Sequence, residues 1–242
     1  MELEGTTALV TGGARRVGRA IALGLAEAGC NLMLHYHRSS GDAEITAAEA
    51  RRLGAGVRLV GADLGAPEAA AQVVAGAVDL APVQILVNSA AFFPQDTLLD
   101  VAAADWWTTL QVNLGGPVFL TQAFARALPE GVEGAVVNVT DWRTERPYPD
   151  HFSYTVSKGG LDAFTRAAAE ALAPRIRVNA VALGAILPPP GRDSAYLKEL
   201  AQEIPVRHVG GTPPVVDAVL LLLRNHFVTG EILRVDGGAH LR

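Results

Sequence analysis

Tyr154 and Lys158 stand four residues apart in Tyr154-Thr155-Val156-Ser157-Lys158. On a helix that spacing puts both side chains on one face, where they can meet over a bound molecule. A tyrosine hydroxyl releases its proton at about pH 10, and a neighbouring ammonium favours the phenolate, so the pair could exchange protons closer to neutrality. The same pair also arises by chance on helices and selects no reaction alone. A second set suits phosphate. In Thr11-Gly12-Gly13-Ala14-Arg15-Arg16-Val17-Gly18 the glycines let a backbone approach anionic oxygens, and a helix starting there offers unpaired N–H groups. A plain tight turn would use glycines too, so position must decide.

The elements that position these residues follow from hydrophobic periodicity. Thr6 to Thr11 is a short apolar, β-branched run, and Val17, Ala20, Ile21, Leu23, Leu25 and Ala28 recur at helical spacing up to Gly29. The glycine turn therefore joins a first strand to a first helix, which is where a dinucleotide pyrophosphate would sit. Further strands are predicted at Asn31 to Tyr36, Val57 to Gly61, Gln84 to Asn88, Ala135 to Thr140, Ile176 to Val181 and Glu231 to Val235. Helices are predicted over Ala43 to Leu53, Pro67 to Val78, a long stretch from Ala103 to Leu128, Ser153 to Ala173 and Pro214 to Arg224. Alternation of this kind predicts a doubly wound, Rossmann-like α/β fold, with about seven mostly parallel strands and helices on both faces. The pattern weakens over 184–208, with Leu187-Pro188-Pro189-Pro190-Gly191 followed by a short helix near Ser194 to Glu203. That segment reads as a substrate loop or lid within one domain over 1–242.

The end of the second strand bears on cofactor choice. An acid there binds a ribose 2′-hydroxyl and repels a 2′-phosphate. Here the chain reads His35-Tyr36-His37-Arg38-Ser39-Ser40, with no acid before Asp42. An imidazole, a guanidinium and a hydroxyl at His37, Arg38 and Ser39 can grip a phosphate, although a solvated basic loop would have the same composition. With Arg15 and Arg16 in the glycine turn, this favours NADP(H) over NAD(H).

Composition bounds the remaining possibilities. The 242 residues are 50% hydrophobic and 19% charged, with a formal net charge of −5. The net charge removes the simplest electrostatic case for nucleic acid or an acidic membrane. Cys30 is the only cysteine, so no intrachain disulfide can form, and a reducing cytoplasm is the expected compartment. The acidic start, Met1-Glu2-Leu3-Glu4, is unlike a signal peptide. Apolar runs such as Val219 to Leu223 fall far short of the roughly 20 residues needed to span a bilayer.

Several motifs in order resemble the short-chain dehydrogenase/reductase family, and more closely its pteridine and dihydromonapterin (dihydrofolate) reductases. They are the glycine turn, Ala62-Asp63-Leu64, Asn88-Ser89-Ala90-Ala91, Asn113, Tyr154 to Lys158, Arg177-Val178-Asn179, Thr229-Gly230-Glu231 and Val235-Asp236-Gly237-Gly238. The resemblance implies a cofactor held by Gly12, Arg15, Arg16, Val17 and Gly18, by His37, Arg38 and Ser39, and by Asp63 and Leu64 near the adenine. It adds Asn88, Ser89, Ala90, Tyr154, Lys158 and Gly184. It further implies that Lys158 holds the nicotinamide ribose while assisting Tyr154, and that Asn113 supports a water-linked proton relay to Lys158. No metal is implied. A homotetramer built on the helices from Ala103 and Ser153 is, and the segment Asp236 to Arg242 is expected to approach a neighbour's site.

Departures from the general family narrow the substrate. Where most members carry a carbonyl-binding serine, this chain has Asp141. An ionised carboxylate would repel a carbonyl oxygen but can face a ring N–H or share a proton with an imine nitrogen, and burial would raise its pKa toward that use. Arg16, the run His35 to Ser39, and Asp141 follow the pteridine reductase pattern. Phe92 matches an aromatic that covers the pterin in that group, so Arg16, Phe92, Asp141 and Tyr154 are the expected substrate contacts. Trp142, Arg143, Tyr148 and His151 are weaker candidates for the pocket wall. The expected reaction is NADPH-dependent reduction of a C=N bond in a dihydropterin or dihydrofolate-like molecule. The alternatives are reduction of a ketone or 3-oxoacyl thioester, and a non-catalytic NADP-binding role. Leu183-Gly184 replaces the Pro-Gly common at that point in the family, which leaves the chemistry of the loop open.

Overall fold

The computed structural model describes residues 1–66, 68–76, 80–188 and 194–242. Seven strands are present among them: β1 (Thr7–Val10), β2 (Asn31–Tyr36), β3 (Val57–Gly61), β4 (Val83–Asn88), β5 (Gly134–Asp141), β6 (Ile176–Leu183) and β7 (Ile232–Val235). They form one all-parallel sheet in the order β3-β2-β1-β4-β5-β6-β7. The chain runs outward from β1 to β3, returns beside β1, and then runs outward the other way. This reversal opens a crevice beyond the carboxyl ends of β1 and β4.

Alternate residues along each strand feed the two faces. On one face Val10, Leu34, Ile85 and Val87 pack with Ile21 and Leu25 of α1 (Arg16–Glu27), Ala47 and Ala50 of α2 (Ser40–Arg52), and, later in the chain, Val219 and Leu222 of the helix Pro213–Arg224. On the other, Leu9, Met33, Leu86 and Val178 meet Val73 of α3 (Ala69–Ala75) and Leu120 and Phe124 of the helix Gly116–Ala127. With both faces covered, the central strands read as unbroken apolar runs. Positions 67 and 77–79, at the ends of the helix expected over Pro67 to Val78, lie outside the described residues. So do Pro189, Pro190 and Gly191 in the expected substrate loop.

The long helix expected from Ala103 to Leu128 is two helices, α4 (Ala103–Leu110) and α5 (Gly116–Ala127), joined by a π-helical turn at Gln111–Gly115. Pro117 has no N–H, so the carbonyl of Asn113 loses its donor four residues on, and the ladder slips to a bond from Gly116 N–H to the Gln111 carbonyl. Next come α6 (Phe152–Leu172), α7 (Ser194–Glu203) and α8 (Pro213–Arg224). No helix among the described residues is long and apolar enough to cross a membrane.

Candidate active site

A cleft of about 1380 Å³ opens over the carboxyl ends of β1, β4, β5 and β6. Its floor at one end is the glycine turn. Gly12 has φ +64°, and a Cβ added at Gly18 would lie 2.3 Å from the Gly12 carbonyl oxygen, so the turn closes only with glycine there. His35, which the sequence grouped with the phosphate-gripping run, has a different task. It is buried in β2, its Nδ1 accepts from Gly12 N–H at 3.3 Å, and its Nε2 faces the Ala62 carbonyl at 3.0 Å. These contacts select the neutral ring with the proton on Nε2, and burial pushes its pKa below the usual histidine value. Thr11 Oγ1 accepts from the backbone N–H groups of Ser89 and Ala90 at 2.9 and 3.0 Å, tying the end of β4 to the same turn.

Gly12, Arg15, Arg16, Val17, Gly18, His37, Arg38, Ser39, Asp63, Leu64, Ser89, Ala90 and Gly184 all line the cleft. The two arginines of the turn are already engaged: Arg15 Nε donates to Asp42 at 2.6 Å, and Arg16, at φ +53°, donates to the Pro188 carbonyl at 2.7 Å. Arg38 is exposed and has no ion pair among the described residues, so its charge stays available at the mouth of the cleft. Asn88 departs from expectation. Its side chain is buried, donates to Asn138 Oδ1 at 2.8 Å and does not line the cleft, because the chain from Asn138 to Thr165 ties β4, β5 and α6 together at this point. The unpaired N–H groups at the start of α1, the glycine cradle and Arg38 fit the phosphates of a dinucleotide.

Asp141, Tyr154 and Lys158 converge at the other end. Asp141 closes β5, and its Oδ1 accepts from Arg143 N–H at 2.9 Å, which starts the 3-10 turn Trp142–Thr144. Its Oδ2 accepts from the Tyr154 hydroxyl at 3.1 Å. Lys158, 2% exposed, donates to the Val139 carbonyl at 2.7 Å and lies 5.6 Å from the centre of the Tyr154 ring. Burial raises the pKa of Asp141, against the opposing pull of Arg143, Tyr154 and Lys158. Burial also pushes the ammonium of Lys158 down to about 8, although Asp141 and Asp162 favour its charged form. The expectation that lysine would bring the tyrosine toward neutrality is corrected here. Burial and the facing Asp141 carboxylate drive the Tyr154 pKa well above its ordinary value. The hydroxyl is held as a proton donor.

Two further sequence candidates, Asn113 and Phe92, are bonded to each other. The Asn113 side chain is fully engaged: its Oδ1 accepts from Phe92 N–H at 2.7 Å, and its Nδ2 donates to the Phe92 carbonyl at 2.9 Å and to Ser157 Oγ at 3.0 Å. It clamps the loop after β4 onto α6. That loop presents both Phe92 and Phe93 to the cleft, and Phe93 is the one that meets Tyr154, edge-on at 4.5 Å between ring centres. Phe93 also stacks at 3.9 Å on His151, which does not line the cleft. Sequence reading passed over Phe93, although its place beside Phe92 was the available signal. Trp142, Arg143 and Tyr148 form part of the wall, and Ala239 and Arg242 of the terminal segment line the cleft of their own chain.

A family model described as enoyl-(acyl carrier protein) reductase matches residues 12–240. The crystal structure of FolM alternative dihydrofolate reductase 1 from Brucella canis, complexed with NADP, superposes with a TM-score of 0.93 at 36% identity, covering 100% of this chain and 97% of that one. A putative ketoacyl reductase 2 of the granaticin polyketide synthase of Streptomyces violaceoruber is 35% identical, over 98% of this chain and 97% of its own length. L-xylulose reductase of Bos taurus is 33% identical, over 98% of each chain. Fold, glycine turn, the Asp141, Tyr154 and Lys158 cluster and these likenesses agree, and the chain belongs to the short-chain dehydrogenase/reductase family.

Proposed function

We propose that this protein is an NADPH-dependent reductase acting on a C=N bond of a dihydropterin or dihydrofolate-like ring. The observation that carries the reading is the Tyr154 hydroxyl pointing at the Asp141 carboxylate 3.1 Å away, on a buried floor beside Lys158. NADPH, when bound, supplies the hydride. The glycine turn, Arg38 and Ser39 hold its phosphates, and Asp63 and Leu64 border its adenosine end. Lys158 fixes the ribose, while Phe92 and Phe93 flank a flat heterocycle and align it. Tyr154 and Asp141 share one proton over two oxygens and pass it to the ring nitrogen. Asp141, with its raised pKa, serves as acceptor and relay together with the neutral phenol. Asn113 positions Phe92 through its side-chain amide, and in this reading it supports a water-linked proton relay to Lys158. The dihydrofolate reductase named above is similar over the whole chain, which supports this substrate class.

The test is NADPH oxidation with dihydropterin or dihydrofolate. Tyr154→Phe and Asp141→Ala are each expected to lower turnover by about a hundredfold or more, as loss of a general acid does. Wild-type turnover in both variants would rule the mechanism out. Ketone reduction is the second reading, favoured by the ketoacyl and xylulose reductases among the relatives. An enzyme that reduces ketones and no pterin would establish it. We also propose a cytoplasmic homotetramer. The buried, lone Cys30 suits a reducing compartment, and the exposed aromatic surface on α4 and α5 suits assembly.

A further inference from the structure

We infer that Asp96 is a positioning residue for the proton donor, capping the first turn of α6 from outside the helix and so fixing where the Tyr154 hydroxyl lies. Helix α6 opens on His151, whose backbone is left-handed at φ 52° and whose side chain gives no cap. The first N–H groups of any helix lack intrahelical partners. Here they are met from 57 residues away: Asp96 Oδ1 accepts from Ser153 N–H at 3.1 Å, Oδ2 accepts from the Ser153 hydroxyl, and the Asp96 carbonyl accepts from Phe152 N–H at 3.2 Å. Asp96 is 7% exposed and has no ion pair among the described residues. A buried carboxylate without a cation is costly unless donors surround it, and the positive end of α6 with Ser153 supplies them.

The residue after Ser153 is Tyr154. Asp96 does not line the cleft, so it acts through that neighbour. It also closes a three-point attachment of the loop after β4. Asn113 holds the loop at Phe92, the Pro94 carbonyl faces His151 Nδ1, and Asp96 holds Ser153. Phe93, between the first two ties, touches the Tyr154 ring. The aromatic wall and the proton donor are therefore located by one set of bonds.

The inference rests on Tyr154 as proton donor and not on the pterin. It is tested with Asp96→Ala, Asp96→Asn and Ser153→Ala, by hydrogen exchange of the NADPH-loaded protein and by steady-state kinetics on whichever pterin or ketone the wild type reduces. In Asp96→Ala, amide exchange at 152–158 should quicken about fivefold, the usual cost of a lost helix cap. Exchange in β6 should stay constant, kcat should fall and KM for NADPH should hold. Asp96→Asn keeps an acceptor for Ser153 N–H and should recover most of kcat. Should Asp96→Ala not fold, Ser153→Ala, which removes the hydroxyl bonds to Asp96 and Thr109 and keeps the Ser153 N–H bond, carries the same comparison against Asp96→Asn. Wild-type exchange in the alanine variants overturns the inference, and so does faster exchange with unchanged kcat. A wild type inert on every substrate would bring down the proposed function instead, and exchange alone would then decide whether Asp96 holds the turn.

Discussion

A buried phenol facing a carboxylate keeps its proton, so charge control of this site passes to Lys158. Its ammonium, displaced to about 8 by burial, is protonated at neutral pH and discharges as pH rises through that value. The specificity constant for NADPH reports groups of the free enzyme, and it should fall on the alkaline side near pH 8. Asp162 stands one helical turn beyond Lys158 and favours the ammonium, so Asp162→Asn should move that limb to lower pH. A pH profile unchanged in the variant would assign the limb elsewhere. The sign for stability is opposite. The unfolded chain binds the lysine proton up to about 10.5 and the folded chain only to about 8, so stability should rise with pH across that window. At this scale Tyr154 and Lys158 were legible in residue type and spacing, and Asp141 through the resemblance to pteridine reductases. The roles of His35, Phe93, Asn88 and Asp96 were not, because each depends on which distant group, backbone or side chain, the fold brings against it.

At the scale of elements, the sequence was most readable where burial is complete. Strands covered on both faces must be apolar throughout, and glycines must mark the turns between them, so all seven strands of the sheet were predicted within a few residues of where they lie. The helix pattern was less complete. Hydrophobic periodicity continues across 103–128 because α4 and α5 present related faces, and it does not register a one-residue slip in the hydrogen-bond ladder. The signal for the break was Gly115-Gly116-Pro117, a proline whose missing N–H matters only through Asn113. The short 3-10 turn after β5 was equally silent, since it exists because Asp141 caps it. Elements that position the site are thus held by polar side chains that periodicity ignores.

For the molecule as a whole, one surface remains to be covered. Trp107 on α4 is 60% exposed, Phe119 on α5 is 53% exposed, and Val156 on α6 is exposed as well. Aromatic surface of this kind marks protein contacts. Trp107→Glu is expected to shift the proposed tetramer toward smaller species in light scattering, and a monomeric wild type at micromolar concentration would exclude that assembly. The sheet order has a different consequence. His37 and Arg38 follow β2, whereas Asp141 ends β5, and β1 and β4 intervene. At the usual spacing between strands the two groups are separated by about 14 Å. Cofactor preference and proton chemistry thus occupy separate stretches of chain with no side chain in common. A lineage could exchange one while inheriting the other intact, and Arg38→Asp should alter the choice between NADPH and NADH while leaving the ranking of substrates as it was.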